Sequence, residues 1–318
     1  MVERRKVVLI GTGFVGMSMA YSLLNQGGVN ELVLVDIQKD KAEGEAMDLA
    51  HGMPFAPSKI DVKSGGYEEC KDANIVVITA GLNQKPNQTR LELAIDNAKI
   101  IKDITKQVVE SGFKGVFLVA SNPVDLMTYV VYKTSGFPKE KVIGSGTVLD
   151  SSRLRYLIGE YLKISSKNVH AYIMGEHGDS SFVPWEHCYI GCKNLIEVMK
   201  ENKKPMEDLN EIYIGVRQAA YEIINKKKAT YYGIGVALTR LVKAILNDEN
   251  AIVPVSTYLE GEYGHSGMFI GVPAIINRKG VRDILELNLS EKDQAKFDNS
   301  CEVLNKLIKD NINKIIEE

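Results

Sequence analysis

Cysteine and histidine are scarce in this chain. Among its 318 residues there are four cysteines, five histidines and one tryptophan. No two cysteines form a Cys-x-x-Cys pair, and a chain of this length can bury an apolar core without covalent cross-links, so we expect a reducing compartment. His187, Cys188 and Cys192 lie close in sequence, but their spacing matches no common zinc site and their neighbours are apolar. We interpret them as packing residues and predict no metal site.

Long apolar runs and a strong charge of one sign are also missing. No stretch approaches the roughly 20 apolar residues of a membrane span. The first six residues lead directly into a short strand-like run and lack the apolar core of a signal peptide. Lys and Arg number 39 against 41 Asp and Glu, and the basic runs are too short for a nucleic-acid surface. We therefore expect a cytoplasmic protein that binds neither membranes nor nucleic acids.

What the sequence does contain is an alternation of short β-branched runs with amphipathic stretches. This alternation is typical of a parallel sheet with right-handed helical crossovers. From about residue 145 the pattern changes to long helices at 147–161, 206–226, 230–247 and from Ser290, with strand-like pieces at 168–174, 252–259 and 271–276. We predict an α/β fold with a doubly wound parallel sheet in residues 1–145 and an α+β domain in residues 146–318. The predicted strands of the first domain are 6–10, 31–36, 74–79, 115–119 and 141–144, with helices at 14–26 and 40–51.

A glycine motif joins the first predicted strand to the first predicted helix. Gly11, Gly13 and Gly16 permit a tight turn and let backbone N–H groups approach a pyrophosphate at the helix N-terminus. Asp36 lies roughly 20 residues further on, where a carboxylate can accept hydrogen bonds from an adenosine ribose and repel a 2′-phosphate. The sequence therefore predicts a Rossmann domain that binds NAD rather than NADP.

One histidine lies among glycines and acids, in segment 174–180. His177 is suited to give or take a proton near neutral pH while a hydride is transferred. Asp150 and Arg153 lie three residues apart on one face of a predicted helix. An arginine can hold a substrate carboxylate, and a carboxylate beside an imidazole fixes its tautomer, although a surface ion pair explains the same spacing.

Two loops follow predicted strands at the edge where ligands bind in such sheets. The polar run 80–90 has the composition of a lid, and Arg90 on it can polarise a substrate carbonyl when the lid is shut. Taken alone, Arg90 is more typical of a surface residue at a helix start than of a catalytic residue. Asn122, before Pro123, can direct its amide toward a ligand, and an Asx turn is the alternative.

These five motifs occur in order between Gly11 and Ser180, and the resemblance that they carry covers the whole chain. Together they resemble the bacterial L-lactate dehydrogenases of the lactate/malate dehydrogenase family. The resemblance implies NADH-dependent, reversible reduction of pyruvate to L-lactate in glycolysis and fermentation, with His177 as proton donor and acceptor, Asp150 as its partner and Arg90 as a catalytic lid residue. It implies substrate contacts by Gln84, Arg90, Asn122, Arg153 and Thr230. It implies cofactor contacts by Gly11, Gly13, Val15, Gly16, Asp36, Lys41, Tyr67, Gly81, Leu82, Ala120, Asn122, Ser145 and Ile234.

Gln84 is the residue on which the choice of substrate depends. Malate dehydrogenases resemble this chain but carry arginine there, because their substrate has a second carboxylate, and burying an unpaired carboxylate costs on the order of several kcal/mol. The alternatives are a malate or 2-hydroxyisocaproate dehydrogenase, an NAD-dependent glycoside hydrolase and a non-catalytic NAD-binding protein. The hydrolase needs metal ligands that the sequence lacks. The presence of His177, Asp150, Arg153 and Arg90 argues against a non-catalytic NAD-binding protein.

The resemblance also implies regulation and assembly. Arg155 and His170 match positions that bind fructose 1,6-bisphosphate in allosterically activated bacterial enzymes, which suggests an activated homotetramer, although an exposed arginine and a packed histidine explain the same residues. The chain departs from the family pattern at Asn87 and Gln88 in the lid, where Gly-Glu is typical. It also departs at Lys228, where glycine is usual. These departures bear on lid closure and on the tolerance of longer 2-oxo acids.

Overall fold

The first half of the chain forms six parallel strands with helices on both faces. The computed structural model describes residues 4–82 and 90–317, and the side chain of Arg90 lies outside the description. The strands are β1 (Lys6–Ile10), β2 (Glu31–Val35), β3 (Asp61–Ser64), β4 (Ile75–Ile78), β5 (Val116–Val119) and β6 (Val142–Gly144). The helices are α1 (Phe14–Gln26), α2 (Lys39–His51), α3 (Arg90–Glu110) and α4 (Val124–Ser135).

The order of these strands explains where a ligand can bind. They run β3-β2-β1-β4-β5-β6, and every neighbouring pair is parallel. The chain order reverses between β1 and β4, and in open α/β sheets the crevice at this reversal, outside the carboxyl ends of the strands, holds the ligand. The prediction of a doubly wound Rossmann sheet is therefore confirmed.

The second half combines helices with antiparallel strands. Its helices are α5 (Val148–Leu162), α6 (Leu195–Glu201), α7 (Glu207–Lys227), α8 (Tyr232–Leu246), α9 (Glu291–Leu307) and α10 (Asn313–Glu317). Its strands are β7 (Val169–His170), β8 (Tyr189–Ile190), β9 (Lys193–Asn194), β10 (Ala251–Glu260), β11 (Ser266–Asn277) and β12 (Gly280–Ile284). Strands β7, β8 and β9 form a separate sheet, whereas β10 pairs antiparallel with β6 at Ser256 and Gly144. One nine-stranded sheet therefore runs through both halves.

Burial on both faces of the sheet accounts for the apolar strand β4. Its four residues are fully buried, with Val76 and Ile78 packed in a cluster on one face and Ile75 and Val77 in a cluster on the other. Strands covered on both faces are expected to be continuously apolar. A third cluster lies under α5 and α7 in the second half. No helix of the described residues is long and apolar enough to cross a bilayer.

One strand prediction is wrong, and the structure contains strands that were not predicted, namely β3, β8, β9 and β12. The segment 168–174 is predicted as one strand, but only Val169–His170 forms one, because the chain bends at Gly175 (φ +100°) and Met174 pairs with Phe182 as an isolated bridge. Strand β3 was not predicted. It lies at the sheet edge and its residues alternate between exposed and half-buried, so its sequence lacks the apolar pattern of a buried strand.

Candidate active site

The glycine motif forms a cradle at the N-terminus of α1. Gly11 has φ +101°, and a Cβ there would lie 2.7 Å from the backbone nitrogen of Ala80. A Cβ on Gly16 would lie 2.2 Å from the carbonyl oxygen of Gly11, so both positions require glycine. Gly13 is the N-cap of α1, where no side chain caps the helix, and nothing lies within 4 Å of its missing Cβ. The N–H groups of the first turn of α1 and the helix dipole suit a pyrophosphate.

Asp36 is held at the end of β2 by the glycine turn itself. The backbone nitrogen and hydroxyl of Thr12 donate to Asp36 Oδ2 at 2.7 and 2.9 Å, and the nitrogen of Gln38 donates to Oδ1 at 3.0 Å. Lys41 Nζ donates to the Thr12 carbonyl at 2.7 Å. Burial opposes ionisation, but these hydrogen bonds and Lys41 hold the pKa of Asp36 below its usual range. An ionised acceptor beside the glycine cradle fits the ribose of NAD.

The remaining predicted cofactor residues border the crevice or pack beside it. Gly81 and Leu82 follow β4, and Ala120 and Asn122 follow β5. Ser145 follows β6, and its backbone nitrogen donates to the carbonyl oxygen of Val119 at 2.8 Å. Tyr67 lies after β3 and is half-buried, which raises the pKa of its phenol. Val15, Ala120 and Ile234 pack against the same apolar cluster. The structure thus brings the predicted cofactor residues to one edge of the sheet.

Sequence reasoning missed the residue that ties two of these loops together. Asn97 on α3 accepts from the nitrogen of Leu82 at 2.8 Å and donates to the carbonyl of Asn122 at 2.9 Å. It is 2% exposed and lies between Ala94 and Ile101 on the buried face of the helix. A lone asparagine on an apolar helix face was the available signal, because such a side chain needs hydrogen-bond partners.

The proposed catalytic groups meet at the start of α5. His177 Nδ1 lies 2.6 Å from Asp150 Oδ2, and Arg153 donates to Asp150 Oδ1 at 3.0 Å. The side chains of His177, Asp150 and Arg153 are 29%, 16% and 15% exposed, so each is largely buried but still partly accessible. The i, i+3 pair of α5 is therefore largely buried and in contact with His177, which distinguishes it from the exposed ion pair considered from sequence.

The electrostatics of this triad favour a charged imidazole. Burial lowers the pKa of His177, but the charge of Asp150 and its hydrogen bond outweigh burial and raise that pKa to about 9. Burial likewise acts to raise the pKa of Asp150, and His177 and Arg153 overcome it so that the carboxyl stays below its usual range. The pair is thus an imidazolium and a carboxylate at neutral pH, and His177 holds a proton that it can donate.

A second carboxylate, not assigned from sequence, fixes the backbone of the histidine. Asp125, in the first turn of α4, accepts from the nitrogen of His177 at 2.8 Å and from the hydroxyl of Ser256 at 2.5 Å. It is 3% exposed, and burial raises its pKa to about 6 despite these two donors. An acid within the apolar run that opens α4 was the signal in the sequence. Asp125 links α4, the histidine segment and β10.

Helices α9 and α7 also hold the histidine segment. Ser300 on α9 is fully buried, accepts from the nitrogen of Glu176 at 2.7 Å and lies 2.9 Å from the hydroxyl of Ser180. Tyr213 on α7 donates its hydroxyl to the carbonyl of Ser181. Helix α9, which the sequence predicts only as a long helix from Ser290, therefore supplies one anchor of the segment that carries His177.

Helix α8, which carries Ile234 and is preceded by Thr230, packs against α1. Tyr231, next to Thr230, stacks on Phe14 with ring centroids 5.1 Å apart. A Cβ on Gly235 would lie 2.6 Å from the Cβ of Ser18, so α8 and α1 are in close contact. Thr230 and Ile234, both half-buried, therefore lie beside the helix that follows the glycine cradle.

The lid falls outside the description. Gln84, Asn87 and Gln88 are not among the described residues, nor is the side chain of Arg90. Arg155 and His170 lie on α5 and β7; Arg155 donates to the carbonyl of Ser166 at 3.4 Å, and His170 is exposed. The Nε atom of Arg155 is buried without a hydrogen-bond partner within the described ranges.

The cysteines and His187 do not form a site in the part of the chain that the structure describes. Cys188 is fully buried in the apolar cluster of the second half, and burial raises the pKa of its thiol to about 12. His187 Nε2 lies 2.9 Å from the carbonyl oxygen of Asn288, and Cys192 is exposed. Within residues 4–82 and 90–317, no three His, Cys, Asp or Glu side chains are grouped as metal ligands.

Known proteins of the same architecture match this chain over nearly its whole length. The lactate/malate dehydrogenase NAD binding domain matches residues 5–144, and the alpha/beta C-terminal domain of the same family matches residues 147–315. The L-lactate dehydrogenase 1 of Bacillus anthracis is 57% identical over 300 residues, which cover 94% of this chain and 96% of the relative.

Solved structures agree with this match. A lactate dehydrogenase from a Medee basin deep-sea metagenome library superposes with a TM-score of 0.96 at 53% identity, covering 98% of this chain and all of that one. The ligand-bound minor L-lactate dehydrogenase of Enterococcus mundtii gives 0.95 at 50% identity, covering 96% and 98%. The predicted resemblance and the NAD cofactor are confirmed. The protein belongs to the lactate/malate dehydrogenase family and carries its NAD-binding domain.

Proposed function

We propose that the protein is an NAD-dependent L-lactate dehydrogenase, in which His177 exchanges the proton that accompanies hydride transfer between pyruvate and L-lactate. The observation that carries the proposal is the contact of His177, Asp150 and Arg153 beside the NAD cradle. When bound, the nicotinamide supplies or accepts the hydride. His177, protonated at neutral pH, gives its proton to the carbonyl oxygen of pyruvate, and Asp150 stabilises the imidazolium that precedes this step.

Arg153 is proposed to bind the substrate carboxylate. Its NH1 group is committed to Asp150 at 3.0 Å, which orients the guanidinium and leaves its other N–H groups to pair with a second carboxylate. Asn122 and Thr230 complete the proposed substrate contacts. Arg90 is proposed to polarise the carbonyl from the lid, and Gln84 to face the substrate methyl group.

Activity with a panel of 2-oxo acids tests this function. NADH oxidation should be fastest with pyruvate and weak with oxaloacetate and with 2-oxoisocaproate, the oxo acid of 2-hydroxyisocaproate. His177→Asn should lose nearly all turnover and still bind NADH, because His177 contributes to proton transfer and not to the nucleotide cradle. A variant with the rate of the unmodified enzyme would refute the role of His177, and a preference for another 2-oxo acid would refute the substrate.

Gln84→Arg tests the choice between lactate and malate chemistry on its own. An arginine there can pair with the second carboxylate of oxaloacetate, so the ratio of kcat/KM for oxaloacetate over pyruvate should rise by about 100-fold or more. Gln84→Asn is the matched control, since it keeps a neutral amide and should leave oxaloacetate a poor substrate. An unchanged ratio in Gln84→Arg would contradict the assignment of Gln84.

We further propose regulation by fructose 1,6-bisphosphate at Arg155 and His170 in a cytoplasmic homotetramer. The buried Nε of Arg155 has no hydrogen-bond partner among the described residues, and β7, which carries His170, lies against α5. Activity at limiting pyruvate should rise with the bisphosphate, and Arg155→Gln should abolish that rise. We also propose that residues 1–145 serve mainly the cofactor and residues 146–318 mainly the substrate and assembly.

A further inference from the structure

A cavity of about 340 Å³ opens at the end of the sheet where the parallel strands begin. The NAD crevice lies at the other end, where these strands finish. The cavity is lined by the residues that precede β1, β4, β5 and β6. The end of α8 and the turn between β11 and β12 complete its wall, so both halves of the chain contribute. Its volume lies within the usual range of small-molecule sites, roughly 300–1,000 Å³.

The wall of this cavity is strongly cationic. Asp72 is the one carboxylate among the described residues that line it. Asp72 is already engaged, because Lys6 Nζ lies 2.5 Å from one of its oxygens and Arg4 lies 3.5 Å from the other. The cations that line the cavity are Arg5, Lys71, Lys114, Lys141, Arg278 and Lys279.

Five of these six cations lack a carboxylate partner within the described ranges. Arg5 donates to the side-chain oxygen of Asn247 at 2.9 Å, and Lys141 donates to the carbonyl of Lys114 at 2.7 Å. Both partners are neutral, and Lys71, Lys114 and Lys279 form no ion pair in residues 4–82 and 90–317. Like charges gathered around one cavity repel each other, and an anion within it would relieve that repulsion.

We propose that this cavity binds a small ligand with a chain of two or more phosphate groups. The cations come from five separate segments around the rim, so one phosphate can contact only part of them, whereas a polyphosphate can reach several at once. The floor includes Ile245 and Leu246, which are 1% and 4% exposed and suit the carbon skeleton of a nucleotide. This proposal is independent of the dehydrogenase function.

Calorimetric titration at low ionic strength tests the proposal. One equivalent of NADH per coenzyme site is present, so that ATP does not bind there and no excess NADH competes for the cavity. Inorganic triphosphate is the probe, with ATP, adenosine, orthophosphate and fructose 1,6-bisphosphate as comparisons. Triphosphate should bind far more tightly than orthophosphate, adenosine should not bind, and added salt should weaken binding because the contacts are ionic. If ATP binds more tightly than triphosphate, the ligand is a nucleotide; equal affinity identifies the phosphate chain.

A matched pair of variants locates the site. The triple variant Lys71→Gln, Lys114→Gln and Lys279→Gln changes exposed cavity residues and should weaken triphosphate binding about tenfold or more. The control carries Lys292→Gln, Lys306→Gln and Lys309→Gln, which remove the same charge from the exposed surface of the C-terminal region and should leave the affinity within about twofold. Equal weakening in both variants, equal affinity for orthophosphate, or no triphosphate binding would overturn the proposal.

Discussion

Replacing Asp150 by asparagine should move the pKa of His177 more than any other single substitution at the site. The charge and hydrogen bond of Asp150 are the leading causes that raise this pKa to about 9 from an ordinary 6.5. Without them, the charge of Asp125 still raises the pKa of His177, but burial, which is the largest single cause, and the charge of Arg153 lower it. We therefore expect a value below 6.5 in Asp150→Asn. At about 1.4 kcal/mol per pH unit, Asp150 therefore stabilises the imidazolium by on the order of 3 kcal/mol.

The kinetic consequence has two parts. At neutral pH the protonated fraction of His177 falls from nearly complete to about a quarter or less. The neutral imidazole also loses the partner that fixes its tautomer, so kcat/KM for pyruvate should fall by about 100-fold or more in total. The affinity for NADH should stay within about twofold, because Asp150 lies outside the glycine cradle.

The pH dependence of pyruvate reduction is the decisive measurement. In the unmodified enzyme, kcat/KM should decline as pH rises through about 9, where His177 loses its proton, and lactate oxidation should rise over the same range. In Asp150→Asn both transitions should move to below 6.5. Asp310→Asn, an exposed acid near the C-terminus, is the control and should leave the profile unchanged. A transition that stays near 9 in Asp150→Asn would refute the role given to Asp150.

Two further substitutions test the supports of the site and a helix end. The folded-state pKa of Asp125, about 6, exceeds its ordinary 3.8, so its protonation stabilises the fold below about pH 4 and this stabilisation is lost as pH rises through 6. The Tm of Asp125→Asn should therefore rise relative to the unmodified protein between pH 4 and 6, and a pH-independent difference would contradict this. Lys228 is the C-cap of α7 and has φ +71°, a conformation that favours glycine. Lys228→Gly should therefore stabilise the protein by roughly 0.5–1 kcal/mol and raise its Tm by about a degree or two. Lys226→Gly, within the helix, is the control and should lower the Tm.

The Rossmann half was largely predictable because its signals are local. The helix Phe14–Gln26 and the strand Lys6–Ile10 have the predicted bounds, since a glycine turn separates them and each is uniformly amphipathic or apolar. The NAD cradle follows from the same turn. The edge strand Asp61–Ser64 was not predicted because its half-buried positions hold Val62 and Ser64, too few apolar residues to give an apolar period.

The supports of the catalytic segment were not predictable in the same way. His177, Asp150 and Arg153 are reactive residue types in suggestive positions, so the motifs identify them. Asp125 and Ser300 are polar residues within helices, and their role arises only when the fold brings them to the backbone of segment 174–180. Hydrogen bonds between residues more than 50 positions apart depend on tertiary packing, which local sequence patterns do not encode.

The pairing of Gly144 with Ser256 limits how the chain can be divided. A fragment that ended near residue 145 would leave β6 as an open sheet edge, because Gly144 would lose its partner in β10. Exposed apolar edges promote pairing between chains, so such a fragment is expected to aggregate rather than bind NAD as a soluble unit. Fragments of this protein should therefore contain both β6 and β10. In circular permutations, the new termini should lie in exposed loops away from the pairing of these two strands.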